Sequence, residues 1–434
     1  MKHIDISNDT VRKELDEFIL GLSDAANADR SIQEKLEQAR WIVEAVRKNG
    51  DAAVAEFTER FDGVALTPDR FEVSPKEMDK ALAGVDKNLV RILERAHENI
   101  RRFHSKHLRE SWEETLDDGT VLGQRVTPVE SAGVYVPGGK AFYPSTALMN
   151  ITPARVAGVK EIIMVSPPTF NGDIHPVALA AARIAGASRV FRIGGAQAIA
   201  ALAYGTATIP AVTKITGPGN TYVTAAKAIV RGRVEIDSEA GPSEVLVLAD
   251  EKANPAHVAA ELLAQAEHDE EAMCLLVTPS AELIAAVQAR IAAELPNLPR
   301  RDIIKKSLDN RGMLIRTRNM DEAVAITNLY APEHLSIQAD FPRKLLEKIH
   351  NAGAIMVGAN TPVAVGDYYA GPNHTLPTGR KARFSSPLTA EDFRKVTSVL
   401  YYTSERLQRE ANDIMTFANT EELQAHARSI EVRL

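Results

Sequence analysis

Ser131-Ala132-Gly133-Val134-Tyr135-Val136-Pro137-Gly138-Gly139 is a short apolar run that stops in a proline–glycine loop. The same unit returns at Val190-Phe191-Arg192-Ile193 followed by Gly194-Gly195-Ala196-Gln197. It returns again at Val212-Thr213-Lys214-Ile215 followed by Thr216-Gly217-Pro218-Gly219-Asn220. Ile162-Ile163-Met164-Val165 is a further apolar run, and helix-period segments at Ser145 to Ala157, His175 to Ala187 and Tyr222 to Val230 fill the intervals. A parallel strand pair needs a crossover to bring the chain back, so this alternation predicts parallel strands covered by helices. It resumes after Gly241 with apolar runs at Val245 to Leu248, Cys274 to Val277, Met313 to Ile315 and Ala354 to Val357. Upstream, Ser31 to Phe61 and about Pro75 to His107 read as two long helices with apolar residues near 3.6 spacing. The expected fold class is α/β, with two parallel-sheet units. Residues 1–28 are expected as an N-terminal extension, and the tail after Thr389 as a mostly helical, charged region.

The chain has 434 residues, which suggests two or three domains. Lys and Arg number 51 against 58 Asp and Glu, a formal charge of −7, which argues against binding nucleic acid through bulk charge. Apolar residues at 45% supply ample surface for a core, so disorder is excluded as the main state. No apolar run reaches the roughly 18 to 20 residues of a membrane-spanning helix. The first residues, Met1-Lys2-His3-Ile4-Asp5, carry no signal-peptide core. Cys274 is the only cysteine, so an internal disulfide and a cysteine metal site are excluded and a reducing cytoplasm is expected. Its apolar surroundings read as core filling.

Several segments carry chemistry. The three glycine loops follow strands, where the carboxyl ends of a parallel sheet form a ligand crevice. Each could equally be a tight turn, but three together favour a nucleotide or phosphate cleft, although the Gly-x-Gly-x-x-Gly fingerprint is missing. Ser243, in Ala240-Gly241-Pro242-Ser243-Glu244, could donate to a ligand or cap a turn. Gln265 and His268 are three apart near a helix end and share a face, which suits a metal chelate or a solvated terminus. Glu333-His334 is an adjacent pair of the types used in proton transfer, or a surface pair. In an extended segment the two side chains would point to opposite sides. Val365 to Thr378 reads as a long irregular loop carrying Asp367 and His374, and such loops are usually functional. Glu421 and His426 lie on a C-terminal helix.

Seven segments taken in order, Tyr135 to Gly139, Gly194 to Ala198, Gly217 to Asn220, Ala240 to Glu244, Gln265 to His268, Ala331 to Leu335 and Gly371 to His374, resemble the histidinol dehydrogenase family over essentially the whole chain. The resemblance implies oxidation of L-histidinol to L-histidine through histidinaldehyde, with two hydride transfers to NAD and one zinc ion per active site. It implies Gln265, His268, Asp367 and His426 as zinc ligands, and Glu333 and His334 as the catalytic pair. Ser243, His374 and Glu421 would contact substrate, as would the zinc ligands and His334; Tyr135, Gln197 and Asn220 would line the NAD site. It also implies two incomplete Rossmann-like domains: 29–139 with 243–388 carrying most catalytic and zinc residues, and 140–242 on the NAD side. Residues 389–434 would form a helical region reaching the active site of a homodimer partner. No nucleic-acid or membrane partner is expected. A related dehydrogenase acting on another alcohol is disfavoured by Pro137-Gly138-Gly139 and Pro332, which keep the histidinol-type form. The chain departs from the family pattern at Thr375, where valine is usual, and at Arg380 and Lys381, where smaller residues are usual. Those cations read as surface charge or as a sign of a more anionic substrate.

Overall fold

The computed structural model describes residues 1–6, 9–22, 30–106, 108–139, 142–238 and 241–434. His107 and Ala240, which fall in segments singled out above, lie outside the described residues. The strands run in chain order as β1 (Lys2–Asp5), β2 (Glu72–Val73), β3 (Trp112–Thr115), β4 (Val121–Pro128), β5 (Ser131–Tyr135), β6 (Glu161–Val165), β7 (Arg189–Phe191) and β8 (Lys214–Thr216). They continue as β9 (Glu235–Ile236), β10 (Glu244–Ala249), β11 (Met273–Thr278), β12 (Gly312–Arg316), β13 (His334–Gln338), β14 (Ala354–Val357) and β15 (Arg394–Tyr401).

One six-stranded sheet has the order β2-β7-β6-β5-β8-β9, parallel except for the antiparallel β2 edge. The other has the order β1-β12-β11-β10-β13-β14 and is parallel throughout. Apart from the edge strands β2 and β1, which come first in the chain, both start in the middle at β5 and β10, grow outward on one side, then return to fill the other. The chain changes direction between β5 and β8 in the first sheet and between β10 and β13 in the second. β10, β11 and β13 are buried along their whole length. Helices cover both faces of each sheet, which is why these strands read as unbroken apolar runs rather than alternating ones. Cys274 is fully buried in β11, and burial pushes its thiol up to about 12, so it is an inert core residue.

The two long helices expected from periodicity are each broken. Arg30–Asn49 and Asp51–Asp62 are separated by Gly50, whose φ of 56° ends one helix and turns the chain into the next. Pro75–Gly84 and Lys87–Ser105 are separated at Val85, and Asp86 caps the second by accepting from the N–H groups of Asn88 and Leu89. The N-terminus is not an extension. β1 pairs with β12 as the edge of the second sheet, and Ile6 is fully buried.

Strand pairing also redraws the expected division of the chain. β2 and β5, placed by the resemblance with 243–388, hydrogen-bond to β7 and to β6 and β8. Ala39, Val43, Val54 and Phe57 of the preceding helices pack on the same sheet. Residues 30–236 therefore carry the first sheet, and the N-terminal strand joins 244–357 in the second. After Thr389 the chain is not all helix. β15 pairs antiparallel with β4 along eight residues, and β3 completes a small third sheet before the helices Ser404–Thr420 and Gln424–Glu431. Among the described residues no helix is long and apolar enough to cross a membrane.

If β1 is integral, Ile6→Ala will lower stability by about 2 to 5 kcal/mol, read from urea unfolding. A change under about half a kcal/mol would return these residues to the status of an appendage.

Candidate active site

The first sheet presents its carboxyl-end loops. Gly217 has φ +111°, and a Cβ there would sit 2.1 Å from the carbonyl oxygen of Tyr135, so only glycine lets the loops after β8 and β5 pass so closely. The Tyr135 hydroxyl accepts from the N–H of Gly195 at 3.1 Å, tying the β5 and β7 loops together. Burial pushes this phenol up to about 12. Gln197, 1% exposed, has neither amide atom bonded within the protein. Buried polar groups without partners are uncommon and mark places where a ligand can bond. Asn220 caps the helix Thr221–Val230, its side-chain oxygen accepting from the N–H groups of Tyr222 and Val223. Tyr135 and Gln197 are thus brought together around Gly195, while Asn220 stands at the head of the β8 loop.

That loop is held by a buried ion pair absent from the sequence reading. Lys227 donates to Asp237 and, at 3.1 Å, to the carbonyl oxygen of Gly217. Asp237 in turn accepts from the Gly217 N–H at 2.8 Å. The available signal was a lysine inside an otherwise apolar helix.

The second sheet presents its opposite ends. Ser243 and Glu244 stand at the start of β10, and Glu333 and His334 at the start of β13. The helix Pro255–Ala266 runs back from the far end of β10 and delivers Gln265 and His268 to the same side. Asp367 belongs to a short helix, Val363–Tyr368, rather than to an irregular loop. Glu261, one turn before Gln265, accepts from the first N–H of that helix at 3.1 Å and so places it. The ends of the second sheet that carry these residues are therefore amino ends, unlike the carboxyl-end glycine loops of the first. The helix Pro144–Val156 of the first unit meets the loop that closes the gap. Thr146 bonds His374 Nε2 at 3.5 Å, Asn150 donates to Thr375 Oγ1 at 3.2 Å, and Asn373 donates to the Met149 carbonyl.

Glu333 and His334 do not diverge. The bend before β13 brings Glu333 Oε2 to 3.4 Å from His334 Nδ1, and both residues are buried. Nδ1 also lies 3.1 Å from the carbonyl oxygen of Glu244, and Nε2 lies 3.2 Å from Asp367 Oδ1. A carbonyl only accepts, so Nδ1 carries the hydrogen and Nε2 is the exchangeable side. Burial alone would favour the neutral ring, but the Glu333 and Asp367 carboxylates outweigh it and hold His334 well above the ordinary histidine range. Burial likewise works against the charged form of Asp367, and the bond and charge of His334, with His374 and His268 behind, hold it below the usual range. Burial pushes His374 down, and its Nδ1 is 3.0 Å from the Asp367 carbonyl. Glu244 is driven up to about 8 by burial and then by the charge of Glu333.

The donors suit a divalent cation held by nitrogen and oxygen. Gln265 is buried with its Nε2 unpartnered, and His268 lies within electrostatic reach of Asp367. Among the described residues no three His, Cys, Asp or Glu side chains converge on one point. Of the four expected ligands, Gln265, His268 and Asp367 belong to elements of the second sheet, and His426 does not. Glu421 and His426 are exposed, at the end of one C-terminal helix and on the next, and among the described residues no hydrogen bond or ion pair joins either to Glu333, His334 or Asp367. Thr375 and Arg380 are both buried. Arg380 donates to the carbonyls of Leu329 and Leu20, which makes it a brace of the loop rather than surface charge. Lys381 is half-buried at the start of a single 3₁₀ turn.

Fold and site together define an α/β protein of two parallel-sheet units with a buried glutamate–histidine pair, the residue types of acid–base chemistry, at the strand ends of the second. The sequence pattern of the histidinol dehydrogenase family matches residues 25–434. A histidinol dehydrogenase of Heliobacterium mobile is 50% identical over 397 residues, 92% of this chain and 93% of that one. One from Bacillus subtilis is 48% identical over 412 residues, 95% and 96% of the two chains. The crystal structure of histidinol dehydrogenase from Elizabethkingia anophelis superposes with a TM-score of 0.86 at 36% identity, covering 92% of this chain and 91% of that one. The chain belongs to the histidinol dehydrogenase family.

Lys227→Met will leave Asp237 buried and unpaired, at a cost of about 3 to 5 kcal/mol in urea unfolding. Removing both charges, as in Lys227→Met with Asp237→Leu, should recover much of that loss. For Glu244 the folded chain binds its proton more tightly than the unfolded one, whose ordinary value is 4.5. Its contribution to stability is complete below about 4.5 and is lost as pH rises to about 8. Thermal midpoints should therefore fall between about pH 5 and pH 8, with a shallower slope in Glu244→Gln. Equal slopes in the two proteins would contradict a proton held there.

Proposed function

We propose that the protein oxidises L-histidinol to L-histidine through histidinaldehyde, transferring a hydride to each of two NAD molecules in turn, with zinc in the site. The observation that carries this reading is the buried Glu333–His334 pair in a site that holds no thiol, since Cys274 is sealed in β11. Bound NAD would accept each hydride, and bound zinc would hold the substrate's nitrogen atoms.

The side chains do the proton work. As the site stands the Asp367 carboxylate holds a proton on His334 Nε2; with Asp367 engaged in holding zinc, that nitrogen would be free to take the hydroxyl proton as the carbinol C–H leaves as hydride, giving the aldehyde. His334 Nδ1 is kept protonated by the Glu244 carbonyl, so the accepting nitrogen is fixed. Aldehyde oxidation then needs an added oxygen. Without a cysteine nucleophile, water adds to the carbonyl carbon, its proton passing to Glu333 while His334 Nε2 returns the first proton to the carbonyl oxygen, to form the hydrate. Loss of the second hydride with a proton to His334 gives the carboxylic acid. His374 and Ser243 contact the substrate, and Tyr135, Gln197 and Asn220 line the dinucleotide cleft.

Gln265, His268 and Asp367 of one chain, with a histidine equivalent to His426 from a second copy, would hold the zinc. The C-terminal region supports a homodimer. It exposes Leu400, Tyr401, Phe417, Val432 and Leu434, more apolar surface than a free arm would carry. The protein would work in the cytoplasm, with no nucleic-acid or membrane partner.

Zinc-loaded protein with excess NAD should form two NADH per L-histidinol consumed, with L-histidine as product. A chelator should abolish turnover and added zinc restore it. Glu333→Gln should stop acid formation, measured from L-histidinaldehyde, while slowing the alcohol step only a few-fold. A single NADH per substrate, or equal loss of both steps in this variant, would defeat the assignment.

A further inference from the structure

Glu244 takes no part in the steps above, yet it is bonded to the residues that do. β10 and β13 are parallel neighbours with Val245 opposite His334, so the residues just before them, Glu244 and Glu333, stand side by side at the open ends of the strands. Each carboxyl reaches the other's backbone. The Glu244 N–H donates to Glu333 Oε2 at 2.7 Å, and the Glu333 N–H donates to Glu244 Oε2 at 3.3 Å. The second oxygen of Glu244 accepts from the N–H of Gly379 at 2.8 Å. Its carbonyl oxygen faces His334 Nδ1.

We propose that Glu244 is a positioning residue for the catalytic pair, its carboxyl clamping the backbone of Glu333 and Gly379 while its own peptide unit orients the Glu333 carboxylate and the His334 ring. The inference rests on the acid–base reading of that pair. Burying a carboxyl is costly, and an apolar side chain would fill the same space at less cost. What the carboxyl supplies is an acceptor for two N–H groups that the sheet ladder does not reach, each expensive to bury unpaired. Gly379 begins the segment that Arg380 fastens to the Leu329 carbonyl, just ahead of Glu333. Glu244 and Arg380 therefore hold this loop from two sides, and the loop follows His374. A shift of about 1 Å in a catalytic carboxylate can cost on the order of 100-fold in rate.

The test is a double-mutant cycle on full-length, zinc-loaded protein, reading acid formation from L-histidinaldehyde and NAD. In the wild-type background Glu244→Ala should slow this step on the order of 100-fold, with the KM for L-histidinol within about threefold. Glu244→Gln keeps one acceptor oxygen and should fall between the two. In the Glu333→Gln background Glu244→Ala should cost less than about twofold more, because its effect passes through a carboxylate already removed. Equal losses in both backgrounds, or wild-type rates in Glu244→Ala, would overturn the proposal. Amide hydrogen exchange gives a readout free of activity. The Glu333 and Gly379 amides should exchange at least about tenfold faster in Glu244→Ala while β11 amides stay protected. If Glu333→Gln leaves acid formation intact, the catalytic reading falls and the clamp is judged on exchange alone. Unchanged exchange at both amides would then refute it.

Discussion

The register of β10 against β13 is the constraint on which the site depends. Val245 opposite His334 is one pairing among many in a parallel sheet, but it lies at the ends of two strands. Parallel strands that begin together leave N–H groups beyond the ladder, and in a buried site these need partners. Here the partners are the carboxyls of Glu244 and Glu333, each serving the other strand. The same offset places the Glu244 carbonyl against His334 Nδ1 and so fixes the tautomer. A slip by one residue would turn every side chain of β13 to the other face and carry Glu333 and His334 out of the site.

The two sheets carry their candidate site residues at unequal ends. The first supplies loops after β5, β7 and β8, the ordinary position for a ligand in a parallel sheet. The second supplies the starts of β10 and β13. Its crossover helix brings Gln265 and His268 to that end because it must run antiparallel to the strand it follows. On the proposed reading, dinucleotide and substrate would approach from different units and meet between them. The segment from Asn373 to Arg380 binds the halves: its start bonds the helix Pro144–Val156, and its end bonds Glu244 and Leu329. Rigidity in this segment is what keeps the two ends in register.

Much of the architecture was legible as apolar runs, because strands buried on both faces need unbroken hydrophobic sequence. What was illegible was partnership. Nothing local in Ser131 to Tyr135 says that it pairs with Glu161 to Val165 rather than with strands beyond residue 243, so the unit boundaries came out differently. β15 escaped because its faces are mostly exposed and carry no clear alternation. Glu333 and His334 were visible as residue types suited to proton transfer, but their roles, like the zinc set, came from the resemblance. Glu244 and Glu261 had no such signal, and Lys227 had only its place among the apolar residues of a helix. A charged residue at a strand start or on a helix reads as solvated until its neighbours are known. Arg380 was misread for the same reason: its charge suggested surface, while its donors satisfy buried carbonyls.

On the proposed reading, the shortfall of metal donors and the isolation of the C-terminal arm would be two sides of one arrangement. Gln265, His268 and Asp367 all belong to elements of the second sheet, and each is placed by the fold of a single chain. A fourth donor would have to come from a segment long enough to leave its own subunit. The arm after β15 is such a segment, anchored through the β15–β4 pairing and by Arg406 and Arg409 on Asp118, with its terminal helix packed on little besides the helix before it. Its exposed apolar side chains need burial more than its own chain can provide. If association buries that surface and also completes the ligand set, metal affinity and dimer stability become a single linked equilibrium, each strengthening the other by the same free energy.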